Sequence, residues 1–161
     1  HPALRRAYSA RPTPRPMGGE RELHAQRRDG STFPVEVALN PLAEGDGAPF
    51  LAHLAEDAVM TVTGESSWSG VHRGRAAILR DVFGVVSARL QGRNRTRAER
   101  IFADGDWVIV EARGEMTTAD GRPYRNHYCL LYRLADGMIV EAKEYQDTAM
   151  CERTLGPWAP P

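Results

Sequence analysis

Between residues 76 and 90, apolar side chains recur every three or four positions. Ile78, Leu79, Val82, Phe83, Val86 and Leu90 fall on one stripe, so the spacing predicts an amphipathic helix. Downstream the period drops to two. Residues 97–103 run up to the turn Asp104-Gly105-Asp106, 107–118 up to Ala119-Asp120-Gly121, and 124–134 up to Asp136-Gly137, with a last strand over 138–145. Upstream, the breaker cluster Glu44-Gly45-Asp46-Gly47 precedes Phe50, Leu51 and Leu54 at helical spacing, which predicts a short helix, and 58–63 reads as a strand carrying Met60 and Val62. Helices first and an antiparallel meander afterwards predict an α+β domain, with helices on one face of a curved sheet.

The first 45 residues have a different texture. Arg11-Pro12-Thr13-Pro14-Arg15-Pro16-Met17-Gly18-Gly19 can neither continue a helix nor supply a sheet ladder. Beyond it a charged stretch, 20–28, meets the turn signal Asp29-Gly30, and then Phe33, Val35, Val37 and Leu39 alternate, which predicts a hairpin. The chain therefore divides into 1–45 and 46–161.

Strand parity sorts the candidate chemistry. On 107–118, Trp107, Ile109, Glu111, Arg113 and Glu115 share one face, while Val108, Val110, Ala112, Gly114 and Met116 share the other. The charged face is either solvated or, if buried, an ion network. The apolar row Val108, Val110 and Ala112 suggests an outer surface for a homodimer. On 138–145, Met138, Val140 and Ala142 lead to Glu144, so this carboxylate is either a pocket acid or an exposed strand end. Tyr124, Asn126, Tyr128, Leu130 and Tyr132 share a face. Asn126 and Tyr128 could orient a ligand oxygen there, and His127 falls on the opposite side. Trp68 and His72, in the loop before the main helix, offer an aromatic wall and a proton carrier.

The totals narrow the partners. Lys plus Arg number 21 and Asp plus Glu number 21, so no net field draws the chain to nucleic acid or an anionic membrane. No apolar run reaches the roughly 20 residues of a membrane span. Five scattered histidines make no metal motif, and phosphate loops and nucleophile signatures are absent, so no cofactor is expected. Cys129 and Cys151 form neither a disulfide framework nor a metal spacing; they read as free thiols and fit a reducing, cytoplasmic compartment. The start His-Pro-Ala-Leu-Arg-Arg reads as that of an excerpt or a processed chain.

Two stretches of the chain resemble known families. The stretch Gly18-Gly19-Glu20-Arg21-Glu22-Leu23-His24 through Asp29-Gly30 to Phe33-Pro34-Val35-Glu36-Val37 resembles the late hairpin of PAS sensor domains. The string 50–59 on to Gly64, then Gly70 to Gly74 with Ala76-Ala77-Ile78, and at the far end 110–114, 124–128 and 137–148, resembles the nuclear transport factor two-like superfamily in its SnoaL-like, ketosteroid-isomerase-like branch. That resemblance implies a cone-shaped, strongly curved, mostly antiparallel sheet with helices on its concave side, enclosing a pocket for a small apolar molecule, commonly in a homodimer.

The branch includes isomerases, cyclases, dehydratases and epoxide hydrolases that work by cofactor-free acid/base chemistry, as well as non-catalytic binding modules. Alignment with the epoxide hydrolases implies a set of Glu111, Arg113 and Glu144 in the pocket, in which the Arg holds both carboxylates ionised to position water. Met60, Val62, Trp68, His72, Asn126, Tyr128 and Leu130 are implied to contact substrate. The ketosteroid isomerase mechanism transfers poorly, because its base aligns near Val62 and its oxyanion-hole acid near Leu130, and apolar residues move no protons.

Overall fold

A computed structural model describes residues 24–26, 32–34, 48–92 and 94–160. In chain order the elements are β1 (His24–Gln26), β2 (Thr32–Pro34), α1 (Ala48–Ala52), β3 (Leu54–Val62) and β4 (Gly70–Arg73), then a helix over 75–87, here α2. They are followed by β5 (Thr96–Asp104), β6 (Trp107–Gly114), β7 (Met116–Thr117), β8 (Pro123–Tyr124), β9 (His127–Ala135), β10 (Met138–Gln146) and α3 (Thr148–Leu155). Six strands form one sheet in the order β4-β3-β10-β9-β6-β5; β10 runs parallel to β3 and every other pair is antiparallel.

The α+β class expected from the periodicities is the one observed. The helix over 75–87 is continuous but not uniform: Arg75–Ala77 and Val85–Ser87 are α-helical, while Ile78–Gly84 is π-helical. Its abrupt start depends on Gly74, whose φ of 84° lets the chain leave β4 and turn at once into the helix. Ile78 and Val82 from this helix meet Phe50, Leu54 and Ala58 over the inner face of the sheet, where Val108, Val110, Ala112, Tyr132, Ile139 and Ala142 are buried. Complete burial of a side chain such as Ile78 contributes about 2–3 kcal/mol. A second cluster, around Trp68, Val85, Leu90, Met116, Tyr124, Cys151 and Leu155, seats α3 against the far end of the sheet.

Several local expectations shift. The strand expected over 58–63 begins at Leu54, so Leu54 belongs to β3 rather than to the preceding helix. The loop expected to carry His72 is strand β4, and α3 was not foreseen in the tail. Val108, Val110 and Ala112 are 1–3% exposed and face the helices, so that apolar row is core and not a pairing surface. In β10 a bulge between Ile139 and Glu141 resets the alternation. The apolar positions leading to Glu144 on the inner face are therefore Ile139 and Ala142, not Met138 and Val140. The hairpin expected around Asp29-Gly30 pairs Ala25 with Phe33; the rest of 1–45, with most of the PAS-like stretch, lies outside the described residues. Both cysteines are free, Cys129 exposed and Cys151 buried. Among the described residues no helix is long and apolar enough to cross a membrane.

Candidate functional site: a carboxyl in an aromatic cavity

Glu144 is fixed by the centre of the sheet. It stands in register with Val62 on β3 and Leu130 on β9, and its carbonyl accepts from both the N–H and the hydroxyl of Thr63, each at 2.9 Å. Its side chain opens into a cavity of about 80 Å³. The floor is sheet: Met60 and Val62 from β3, His72 from β4, and Tyr128, Leu130 and Tyr132 from β9. The cover comes from Phe50, from Asp81, Val82, Phe83 and Val86 of α2, and from Trp158 in the tail. Trp158 is anchored there, its indole N–H donating to the carbonyl of Asp81 at 2.9 Å and its backbone N–H to the hydroxyl of Ser67 at 2.9 Å.

Among the described residues no lysine or arginine lines this space. The Glu144 carboxyl has neither an ion pair nor a hydrogen bond among the described residues, and burial alone pushes its pKa up to about 7. Beside it the phenols of Tyr128 and Tyr132 are also held well above their ordinary value, first by burial and then, for Tyr128, by Tyr124 and Glu144 and, for Tyr132, by the Glu144 charge, so they stay protonated and able to donate. The Tyr128 hydroxyl approaches that of Tyr124 at 3.4 Å, and Tyr124 in turn lies 3.4 Å from the Gln146 side-chain oxygen. Cys151 lies on this side of the cavity, its thiol pushed up to about 11 by burial, which leaves it unreactive.

His72 projects from β4 opposite Met60. Burial lowers its pKa, an effect that the charge of Asp81 opposes. Asp81 is itself held ionised by Arg80, whose guanidinium donates to both carboxylate oxygens at 2.6 and 2.7 Å. The cavity thus joins an uncompensated carboxyl at one place to an imidazole near a compensated carboxylate at another.

Of the residues expected at the site, Met60, Val62, Trp68, His72, Tyr128, Leu130 and Glu144 line this cavity. Asn126 does not. It is fully buried beyond the wall, where its amide donates to the Tyr124 hydroxyl, to the Gln146 side chain and to the Asp147 carbonyl at 3.0–3.1 Å. Its oxygen accepts from the N–H groups of His127 and Asp147, so it ties the start of β9 to the end of β10.

Glu111 and Arg113 do not converge with Glu144. They project from the opposite face of the sheet, where Glu111 pairs with Arg100 at 2.9 Å and Arg113 lies 3.4 Å from Glu99. The reason is parity: β6 turns Val108, Val110 and Ala112 inward, which leaves its charged alternates outside. Phe50, Asp81, Phe83, Tyr132 and Trp158 were not foreseen as lining residues. Only Tyr132 carried a signal, through its shared face with Tyr128.

A model of the SnoaL-like domain matches residues 35–142 of this sequence. The chain belongs to the SnoaL-like domain family. Solved structures agree on the cone-shaped fold. An NTF2-like protein from Burkholderia thailandensis superposes with a TM-score of 0.65 at 22% identity, over 76% of this chain and 95% of that one. A Catenulispora acidiphila protein with a ketosteroid isomerase-like fold, in complex with trimethylamine, gives 0.62 at 15% identity over 78% and 96%. TerC, co-crystallised with polyporic acid, gives 0.62 at 18% identity over 75% and 94%. No protein of curated function matches the sequence of this SnoaL-like domain.

Proposed function

We propose that this SnoaL-like domain is a small-molecule enzyme that moves protons without a cofactor, with Glu144 as the proton-transfer group. The observation that carries the reading is the Glu144 carboxyl, uncompensated by any cation among the described residues, in a largely apolar cavity, with a pKa of about 7. Such a group is half ionised at neutral pH, where a general base and its conjugate acid are both at hand. In an isomerisation the carboxylate would take a proton from carbon next to a carbonyl while the electron pair moves onto oxygen. Tyr128, kept protonated, would donate a hydrogen bond to that oxygen, and return of the proton to a different carbon would complete the shift with no atom gained or lost. His72, held toward its neutral form by burial, would be the second proton carrier. Glu111 and Arg113 have no part in this.

The cavity size supports a small substrate. About 80 Å³ corresponds to roughly half a dozen water-sized sites, which suits a compact molecule and excludes a polymer. The two ligands seen in structural neighbours, trimethylamine and polyporic acid, differ in charge, which supports a shared small-molecule cavity whose lining sets the ligand.

The test is deuterium exchange. A panel of small ketones is incubated in D2O with the wild-type chain and with Glu144→Gln, and exchange next to the carbonyl is followed by NMR. Wild type should exceed the buffer rate for at least one ketone, with the rate rising to a plateau above pH 7, and Glu144→Gln should fall to the buffer rate. Equal rates for both proteins across the panel would leave only a non-catalytic binding module.

A further inference from the structure

We infer that the ligand of this cavity is a small organic cation, an amine or quaternary ammonium carrying apolar substituents, with Glu144 as its counter-charge. The inference rests on the reading of this cavity as the ligand site, and adds the class of molecule that fills it. Three features of the lining carry it.

The first is charge. Among the described residues two carboxyl side chains line the cavity and no lysine or arginine does. Arg80 neutralises Asp81 from outside, so Glu144 is the carboxyl left without a partner. An anionic ligand would meet that unpaired carboxylate with nothing to offset the repulsion, whereas a cation would supply the missing counter-charge where water is largely displaced.

The second is the wall. Seven of the lining side chains are aromatic. Phe50 meets Phe83 and Tyr132 edge to face, with ring centroids 5.8 and 5.5 Å away, so the rings present differently oriented surfaces rather than one flat stack. The negative faces of such rings attract an alkylammonium group, which is poorly hydrated and loses little on leaving water. The protein's own cations already stack on Trp68, a lining residue, and on Trp107, where Arg89 lies 4.9 Å and Lys143 5.7 Å from the ring centres, but the Arg89 and Lys143 side chains do not themselves line the cavity.

The third is that, among the described residues, no nearby group would answer the Glu144 charge instead. The titratable side chains facing it are Tyr128 and Tyr132 from β9, Tyr124 from β8, Cys151 from α3, His72 from β4 and Asp81 from α2. The phenols and the thiol stay neutral at physiological pH, Asp81 stays paired, and burial disfavours the charged form of His72.

The test separates charge from shape. Binding of choline and of its neutral carbon isostere 3,3-dimethylbutan-1-ol to the 161-residue chain is measured by calorimetry at pH 8.5. Choline should bind at least about tenfold more tightly than the isostere, and Glu144→Gln should remove most of that preference. A second measurement uses wild type alone, so it does not depend on the variant folding. Choline affinity should fall at least about fivefold between pH 8.5 and 5.5, toward that of the isostere, as Glu144 takes up its proton, the carboxyl titrating at about 7. Protonation of His72 at the low end would deepen that fall, while isostere affinity should stay flat. Equal binding of the two probes, a pH-independent choline affinity, or no choline binding at millimolar concentration would each overturn the inference. All three outcomes leave the exchange of neutral ketones by Glu144 untouched, so the two readings fail separately.

Discussion

Replacing Glu144 by Gln should make the protein more stable at and above neutral pH, and the gain should vanish in acid. Gln keeps the shape of the protonated carboxyl and cannot ionise. In the folded chain the carboxyl titrates at about 7 against 4.5 for an ordinary glutamate, so ionising it there costs about 3 kcal/mol more than in the unfolded chain. The sign follows from proton counts. Below pH 4.5 both states hold the proton and the wild type carries no penalty. As pH rises from 4.5 through 7, the unfolded chain releases its proton first, stability falls, and the loss levels off above about pH 8. Urea unfolding of wild type and Glu144→Gln at half-unit steps from pH 5 to 8.5 reads this directly, because the other titrating groups are common to both proteins and cancel in the difference. The variant should gain about 2.5 kcal/mol relative to wild type across that range. A difference flat to within about 0.5 kcal/mol would mean that the carboxyl is solvated or paired, and would refute the reasoning.

Asn126→Ala should cost about 2 kcal/mol or more in thermal or urea unfolding, because it removes a fully buried amide and leaves the part-buried N–H groups of His127 and Asp147 without their acceptor; a loss below about 1 kcal/mol would contradict that role. Arg113→Met and Glu111→Gln, whose pairs lie on the outer face with substantial exposure, should each change stability by less than about 1 kcal/mol, and a larger loss would place them in a buried network. His72 is held below its ordinary pKa, so the folded state resists its protonation and stability is lost as pH falls below 6.5; His72→Gln should remove that part of the acid sensitivity, and an unchanged pH profile would contradict it.

The strands of the sheet other than β4 were legible because alternation and Asp-Gly turns marked them, whereas β4 is too short to show a period, and the stripe from Ile78 to Val86 marked the helix that covers the sheet. Glu144 was legible as a carboxylate closing an apolar strand, although the row assigned to it was wrong by one register: a bulge at Ile139–Glu141 leaves no trace in a period-two count. Glu111 and Arg113 show the limit of carrying a triad over by alignment. The inward row Val108, Val110 and Ala112 already dictated that its alternates face out, and burial of three apolar side chains outweighs any gain from placing two charges inside. Asp81 and Phe83 escaped notice because three successive helical residues do not ordinarily face one cavity; the π-helical stretch that lets Asp81, Val82 and Phe83 do so is not encoded in a helical stripe. Trp158 lies in an irregular tail, and its place over the cavity depends on contacts with Asp81 and Ser67, both distant in sequence.

The decisive property is that the Glu144 carboxyl, with no cation partner among the described residues, ionises near neutrality. Carbon-13 labelling of glutamate side-chain carboxyls, with Glu144→Gln to assign the resonance, allows its titration to be followed by NMR from pH 3 to 9. The account predicts one carboxyl with a midpoint near 7, absent from the variant and unmoved by Arg113→Met. A midpoint near 4.5 for that resonance would contradict it.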